Sequence, residues 1–254
     1  LIRHTPDDAR CVATDVTSAY AVFGVMGPKS RALLQSLSPD DLSNDAFPFA
    51  HSRVIELGYG LVRASRITYV GELGWELYVP SEFAAHIFET LFEAGGAFGL
   101  KPAGLHAMNS LRIEKAYRHW GHDISEQETP IEAGLGFAVK TGKADFIGRD
   151  AIMAQKQNGV HQRLVQFQLE DPNPLLYHNE PVYRDGEIKG YITSAMFGHT
   201  LGAAIGLGYV ADPGGVDADY INAGRYEIEV AGMRVPAKAS LSPLFDSQSS
   251  RVKV

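Results

Sequence analysis

The sequence has 254 residues, of which 45% are hydrophobic and 21% are charged, and its formal net charge at pH 7 is -7. This length allows one large hydrophobic core or two modest ones, and the composition excludes a disordered chain because it is typical of soluble globular proteins. The acidic balance, with no run of Lys or Arg, provides no basic footprint for phosphates, so we expect no nucleic-acid partner.

The single cysteine, Cys11, excludes an intrachain disulfide, which fits a reducing compartment. We expect Cys11 to be a buried small hydrophobic residue rather than a reactive thiol. No apolar run approaches the roughly 20 residues of a membrane-spanning helix, and residues 1–6 lack a signal-peptide pattern. We therefore expect no membrane partner and a cytoplasmic location, or the mitochondrial matrix in a eukaryote. The first residue is not Met, so we expect a fragment or a processed chain.

Strand and helix patterns alternate at the start of the chain. Residues 12–25 are rich in small and β-branched residues and predict a strand, which Gly27 and Pro28 end. Pro28 suits the first turn of a helix, so a helix is predicted next. The residues expected on its buried face are Leu33, Leu34 and Leu37.

The following segments repeat this alternation. Residues 61–79 predict two strands joined by a turn, and Ser81 is expected to cap a helix that ends at Gly95 and Gly96. The residues expected on the buried face of this helix are Phe83, Ile87, Leu91 and Phe92. A second helix is predicted over residues 103–116. Its expected buried residues are Leu105, Met108 and Leu111, or residues near them.

The pattern changes near residue 158, where short alternating runs become separated by turn residues. The candidate strands are 163–169, 187–194, 204–210, 226–230 and 233–239. Five strands at this spacing predict a small β-barrel. We therefore predict an α+β protein with a sheet-and-helix domain over residues 1–157 and a β-barrel domain over residues 158–254.

Common site motifs are absent from the sequence. It contains neither GxGxxG nor GxxxxGK[ST], the patterns of nucleotide-binding loops, and no GxSxG pattern of a nucleophilic serine. His119 and His122 have a spacing that could place both on one helix turn. No third ligand is near them in sequence, so no metal site is predicted.

Glu76 is the most informative charged residue of the predicted strands. On an alternating strand it shares a face with Gly74 and Tyr78 and lies between the bulky Trp75 and Leu77. A carboxylate is costly to bury unless it meets donors, and a ligand with two adjacent N–H groups would supply them. The alternative is a glutamate that faces solvent.

Residues 104–124 carry an unusual mixture of Arg, Glu, Tyr, His and Trp. We expect Arg112 and Glu114 to form an internal ion pair that orders the end of the predicted helix. The aromatic residues of this segment suit either core packing or contact with a ligand.

Several stretches, taken in order, resemble the glycine-cleavage T-protein family. They are VMGPKS at 25–30, YVGELGWE at 69–76, SLRIEK at 110–115, TPIEAGL at 129–135, DFIGR at 145–149, YITS at 191–194 and GLGYV at 206–210. The first of these and YRHWG at 117–121 look closest to the folate-binding carboxyl-terminal part of sarcosine and dimethylglycine dehydrogenases. The resemblance implies a folate-binding domain that is incomplete at its amino terminus, followed by a barrel domain.

The resemblance also implies site residues. The family's pterin-binding glutamate falls on Glu76, its tyrosine seven positions earlier on Tyr69, and an aromatic residue near the folate on Tyr117. Met108 stands where the T-protein has a substrate-binding arginine. The family's catalytic aspartate belongs to a segment upstream of residue 1. The catalytic residue is therefore unknown, and neither Asp15 nor Asp123 inherits that role.

The function implied by the resemblance is an aminomethyltransferase-type reaction with tetrahydrofolate as the cofactor. The module would capture a one-carbon unit from an amine-derived iminium as methylenetetrahydrofolate. Its partners would be a reduced folate and an upstream FAD-containing amine dehydrogenase domain. The alternatives are a non-catalytic folate-binding module with a scaffold or regulatory role, and a folate-dependent demethylase.

Overall fold

The computed structural model describes residues 2–254, and the contacts of the chain divide these residues into two units. The first unit contains residues 2–68, 72–102 and 251–254. The second contains residues 69–71 and 103–250. The predicted domains, 1–157 and 158–254, follow a different division and stay a prediction.

The first unit is a four-stranded antiparallel sheet with two helices. Its elements are β1 (Tyr20–Met26), α1 (Ser30–Leu37), β2 (Ser52–Leu57), β3 (Gly60–Ser65), β4 (Gly74–Pro80) and α2 (Ala84–Gly95). The order of the strands is β1-β4-β3-β2. Alternate residues of each strand face a core that includes Trp75, Leu77 and Val79 of β4, so one face of the sheet is apolar and buried.

The predicted strand over residues 12–25 is wrong in its first half. Strand β1 begins at Tyr20, because its partner β4 has seven residues and pairs with Tyr20–Met26 alone. Strand β2 was not predicted. Cys11 is exposed, so its predicted burial is also wrong.

Helices α1 and α2 lie where they were expected, and two of the predicted details are wrong. Leu33 and Leu34 are buried on α1, as predicted. Ser81 does not cap α2: its hydroxyl donates to Ser18 O at 2.7 Å, and α2 begins after a 3-10 turn at Ser81–Phe83. Phe92 is 39% exposed because it lies on the outer side of the helix. There its ring packs against that of Phe88, with centroids 4.6 Å apart.

Helix α3 (Leu105–Glu114), in the second unit, fully buries none of the three residues named in the prediction, and the residues that it buries lie near them. Leu105 is 62% exposed, and Met108 and Leu111 are only half-buried. The buried residues are Ser110, Arg112, Ile113 and Glu114. Polar side chains are buried here because they meet hydrogen-bonding groups of the neighbouring strands, as Ser110 does by donating to Phe197 O at 2.6 Å.

The remainder of the second unit contains a closed six-stranded barrel. Its elements are α4 (Arg149–Asn158), β5 (Gln162–Leu169), β6 (Pro181–Arg184), β7 (Glu187–Gly198), β8 (Ala203–Ala211), α5 (Ala218–Ala223), β9 (Tyr226–Val230) and β10 (Met233–Ser240). The order around the barrel is β10-β5-β8-β7-β6-β9. All five predicted strands are present, and the predicted α+β class with a carboxyl-terminal barrel is confirmed.

The barrel strand that the sequence did not predict is β6, which is four residues long and begins with Pro181. It pairs with β7 on one side and β9 on the other, so the barrel cannot close without it. A tight turn with positive φ at Asp185 and Gly186 connects it to β7.

Candidate functional site

Glu76 lies on β4, between β1 and β3 in the sheet of the first unit. Its cross-strand neighbours are Gly24 on β1 and Ser65 on β3, and directly opposed residues share a face of an antiparallel sheet. Glu76 is half-buried and on the face opposite to Trp75 and Leu77, which lie in the core. Neither neighbour carries a bulky side chain, and the atom nearest to an added Cβ on Gly24 would be Met26 Cε at 3.7 Å.

The hydrogen bonding of Glu76 is incomplete. The Tyr78 hydroxyl donates to Glu76 Oε2 at 3.0 Å, and this bond is the main reason that the pKa of Tyr78 is raised. Among the described residues 2–254, no Lys, Arg or His lies within ion-pair distance of Glu76. The carboxylate therefore keeps acceptor capacity for the N–H donors of a ligand.

Tyr69 and Tyr117 are brought together in the second unit. Their rings are stacked, with centroids 6.4 Å apart and planes inclined by 18°. The Tyr69 hydroxyl donates to Arg118 O at 3.0 Å. Burial raises the pKa of both tyrosines, so both phenols are neutral at pH 7. We call Tyr69 and Tyr117 the tyrosine pair.

A buried ion pair supports the backbone beside the tyrosine pair. Arg112 Nη1 lies 2.5 Å from Asp123 Oδ2 and also donates to Tyr117 O at 3.0 Å. Asp123 Oδ2 accepts from the backbone N–H of His119 at 2.9 Å. Arg112 thus binds the backbone at Tyr117 and Asp123 binds it at His119, on either side of Arg118.

The predicted pair of Arg112 with Glu114 is wrong. Residues two apart on a helix do not face each other, and Arg112 instead pairs with Asp123. Glu114 Oε1 accepts from the backbone N–H groups of Thr200 and Leu201, at 2.7 and 2.9 Å. The sequence analysis did not identify Asp123 as the partner of Arg112, because the two residues lie 11 positions apart and outside a single helix.

The two aspartates that were not assigned a catalytic role have structural partners. Asp123 Oδ1 accepts from Thr193 Oγ1 at 2.5 Å and from Ser194 Oγ at 2.6 Å, so both of its oxygens are engaged. Asp15 is exposed and accepts from the backbone N–H and the hydroxyl of Thr17, at 2.9 and 2.6 Å.

The rings of His119 and His122 lie 4.6 Å apart. The pKa of His119 is lowered, first by burial and then by the charges of Arg112 and His122. Within the part of the chain that the structure describes, no three His, Cys, Asp or Glu side chains are grouped to hold a metal ion. In the same residues, no helix has the length and apolar character that crossing a membrane requires.

The fold and two family models define the class of this chain. The GCVT N-terminal domain matches residues 1–143, and the glycine cleavage T-protein C-terminal barrel domain matches residues 162–246. The chain belongs to the glycine cleavage T-protein family. The resemblance inferred from the short sequence stretches is therefore confirmed.

Two relatives are oxidising enzymes much longer than this chain. It is 42% identical over 94% of its length to 4-methylaminobutanoate oxidase (formaldehyde-forming) of Paenarthrobacter nicotinovorans, and spans 28% of that protein. It is 38% identical over 96% of its length to human mitochondrial sarcosine dehydrogenase, and spans 27% of it.

A solved structure is similar in fold. Aminomethyltransferase T of the glycine cleavage system from Bartonella henselae superimposes with a TM-score of 0.75 at 24% sequence identity. The match covers 90% of this chain and 60% of that one. At this identity the likeness establishes the architecture alone.

Proposed function

We propose that the chain binds a reduced folate and serves one-carbon transfer from an amine-derived iminium to tetrahydrofolate, within a longer amine-oxidising enzyme. Membership in the glycine cleavage T-protein family supports the transfer class. The names of the longer relatives, an oxidase and a dehydrogenase, support an amine-oxidising domain as the partner. The finer reaction, with methylenetetrahydrofolate as the product, is part of this proposal.

The observation that carries the proposal is the carboxylate of Glu76. It is half-buried, has one hydrogen-bond donor and no ion-pair partner among the described residues, and lies between a glycine and a serine. The pterin ring of a folate presents two adjacent N–H donors, and a carboxylate accepts such a pair through two parallel hydrogen bonds. The two N–H donors of a pterin ring therefore match the hydrogen-bond acceptors that Glu76 has available.

Tyr69, Tyr117 and Met108 are further proposed folate contacts. The stacked tyrosine pair offers neutral aromatic surface for a planar ligand. Met108 is uncharged and half-buried on α3, so it would contribute packing and no charge toward an anionic folate tail.

The proposed reaction requires little covalent chemistry from the protein. The bound folate supplies the nitrogen that accepts the one-carbon unit. The residues of this chain would orient the folate through Glu76 and exclude water, and orientation is a large contribution when two reactants must meet.

Calorimetric titration with 5-formyltetrahydrofolate tests the binding proposal. Glu76→Ala should weaken binding by about 2–5 kcal/mol, because it removes the charged partner of a paired N–H donor. The matched control is Glu56→Ala, which removes an exposed glutamate from β2 of the same sheet and should leave the affinity unchanged. Equal affinities for the unmutated chain and Glu76→Ala would contradict the proposal.

A second candidate is a folate-binding module without transfer activity. It is a candidate because no catalytic residue is assigned in this chain, and the buried Asp123 has structural partners at both oxygens: Arg112, His119, Thr193 and Ser194. This candidate predicts folate affinity without any methylenetetrahydrofolate when an amine-derived iminium is supplied. Detection of that product would exclude it.

A further inference from the structure

Tyr78 is the hydrogen-bond donor that the structure gives to the side chain of Glu76. The two residues are separated by one position on β4 and therefore lie on the same face of the sheet. The Tyr78 hydroxyl donates to Glu76 Oε2 at 3.0 Å, and both side chains are partly buried. The pair is local to one strand, so its geometry is defined by the β4 backbone.

One donor from Tyr78 leaves the carboxylate able to bind a ligand. Each carboxylate oxygen has two lone pairs, so Oε2 can accept from Tyr78 and from one N–H of a ligand, while Oε1 accepts from the second N–H. A glutamate side chain with no partner samples several rotamers, and the ordering of these rotamers opposes binding. A hydrogen bond that is already present in the free protein reduces this cost.

We propose that Tyr78 is a positioning residue that holds the carboxylate of Glu76 ready for ligands with two adjacent N–H donors, such as the 2-aminopyrimidin-4-one edge of a reduced folate. This inference rests on the proposed folate site and deepens it: the fixed carboxylate presents both oxygens for the two parallel hydrogen bonds that such a ligand makes. Tyr78 acts through Glu76 and not by touching the reacting atoms.

A double-mutant cycle tests this role by calorimetry with 5-formyltetrahydrofolate. The variants are Tyr78→Phe, Glu76→Gln and the double variant, each in the full 254-residue chain. Tyr78→Phe should weaken binding about tenfold, the effect of one hydrogen bond to a charged group. In the Glu76→Gln chain the same change should alter the affinity by less than about twofold, because Tyr78 then has no carboxylate to hold.

A matched control exists in the barrel. The Tyr183 hydroxyl donates to Glu229 Oε2 at 2.8 Å, so Tyr183→Phe removes a bond of the same chemistry far along the chain. It should leave folate affinity unchanged. Ultraviolet titration gives a readout without ligand: the Tyr78 phenol, assigned by difference from Tyr78→Phe, should ionise at lower pH in Glu76→Gln than in the unmutated chain.

The outcomes separate the inference from the proposal on which it rests. No binding by the unmutated chain would overturn the folate site, and the ligand-positioning role with it. Binding that Glu76→Gln weakens and Tyr78→Phe does not would overturn the inference alone. Equal losses from Tyr78→Phe in both backgrounds would also overturn it, since a general structural effect does not depend on Glu76.

Discussion

Arg112 and Asp123 are buried charges whose partners come from several parts of the second unit. Asp123 accepts from α3 through Arg112, from the His119 backbone, and from Thr193 and Ser194 of β7. Such a pair contributes less to stability than its short distance suggests, because both charges lose their hydration. Its removal is costly for a different reason: the remaining charge stays buried without a partner.

Asp123→Asn should therefore lower the free energy of unfolding by about 3–5 kcal/mol, measured by urea denaturation. The matched control is Glu72→Gln, which breaks the 2.9 Å pair with Arg251. That pair is partly exposed, so the change should cost about 0–1 kcal/mol. Similar decreases in the free energy of unfolding for the two variants would show that the pair of Asp123 with Arg112 is not buried as described above.

At the scale of elements, the β7–β8 pairing depends on close contact between backbones. A Cβ atom built on Gly190 of β7 would lie 1.8 Å from Tyr209 O, and one on Gly208 of β8 would lie 2.5 Å from Tyr191 O. The register of the two strands also shifts between Ile192 and Ser194. Glycine is needed at these positions because any side chain would separate the strands.

Gly190→Ala should destabilise the barrel by about 1–3 kcal/mol, the usual cost of adding atoms to a filled space. Gly142→Ala is the control, because Gly142 is exposed, lies outside any helix or strand, has no positive φ and has no atom within 4 Å of an added Cβ. It should change stability by less than about 0.5 kcal/mol. The stabilities of the two variants are compared by thermal denaturation, with circular dichroism as the signal. A neutral Gly190→Ala would contradict the close approach of the strands.

At the scale of the whole chain, the first unit is completed by residues from the other end of the sequence. Residues 251–254 belong to this unit, although residues 103–250 belong to the second. Val252 is buried, and Arg66, also buried, donates to Phe47 O at 2.8 Å and to Val254 O at 2.9 Å. Arg31 donates to Val254 O at 2.6 Å. The first unit thus depends on contacts that no nearby stretch of sequence supplies.

Val252→Ala should lower the free energy of unfolding by about 1–3 kcal/mol, because Val252 is 2% exposed and its truncation leaves a cavity. Val254→Ala truncates the same side chain two positions later, where it is 55% exposed, and should change stability by less than about 0.5 kcal/mol. Hydrogen exchange should increase around Phe47 in the first variant only. Unchanged exchange there would argue against the link through Arg66, which donates to Phe47 O at 2.8 Å and to Val252 O at 3.5 Å.

Local sequence patterns predicted the positions of most helices and strands, but they did not predict which side chains pair in the folded chain. The position of α3 was close to the prediction, but the apolar residues that suggested its buried face, led by Leu105, are not its core. Arg112 was expected in an ion pair, and it forms one with Asp123 rather than with Glu114. Spacing along a helix shows which residues share a face, whereas the groups opposite that face come from other segments, as Asp123 does for Arg112 and Phe197 does for Ser110.

By itself, the sequence determined the family, the α+β class and five of the six barrel strands, because alternation, turn residues and short motifs are local signals. Only the tertiary structure decided the closing strand β6 and the stacking of Tyr69 on Tyr117. It also decided that residues 251–254 complete the first unit. These features depend on which distant groups meet in the folded chain, and that choice is made by packing and by the need of buried polar groups for partners.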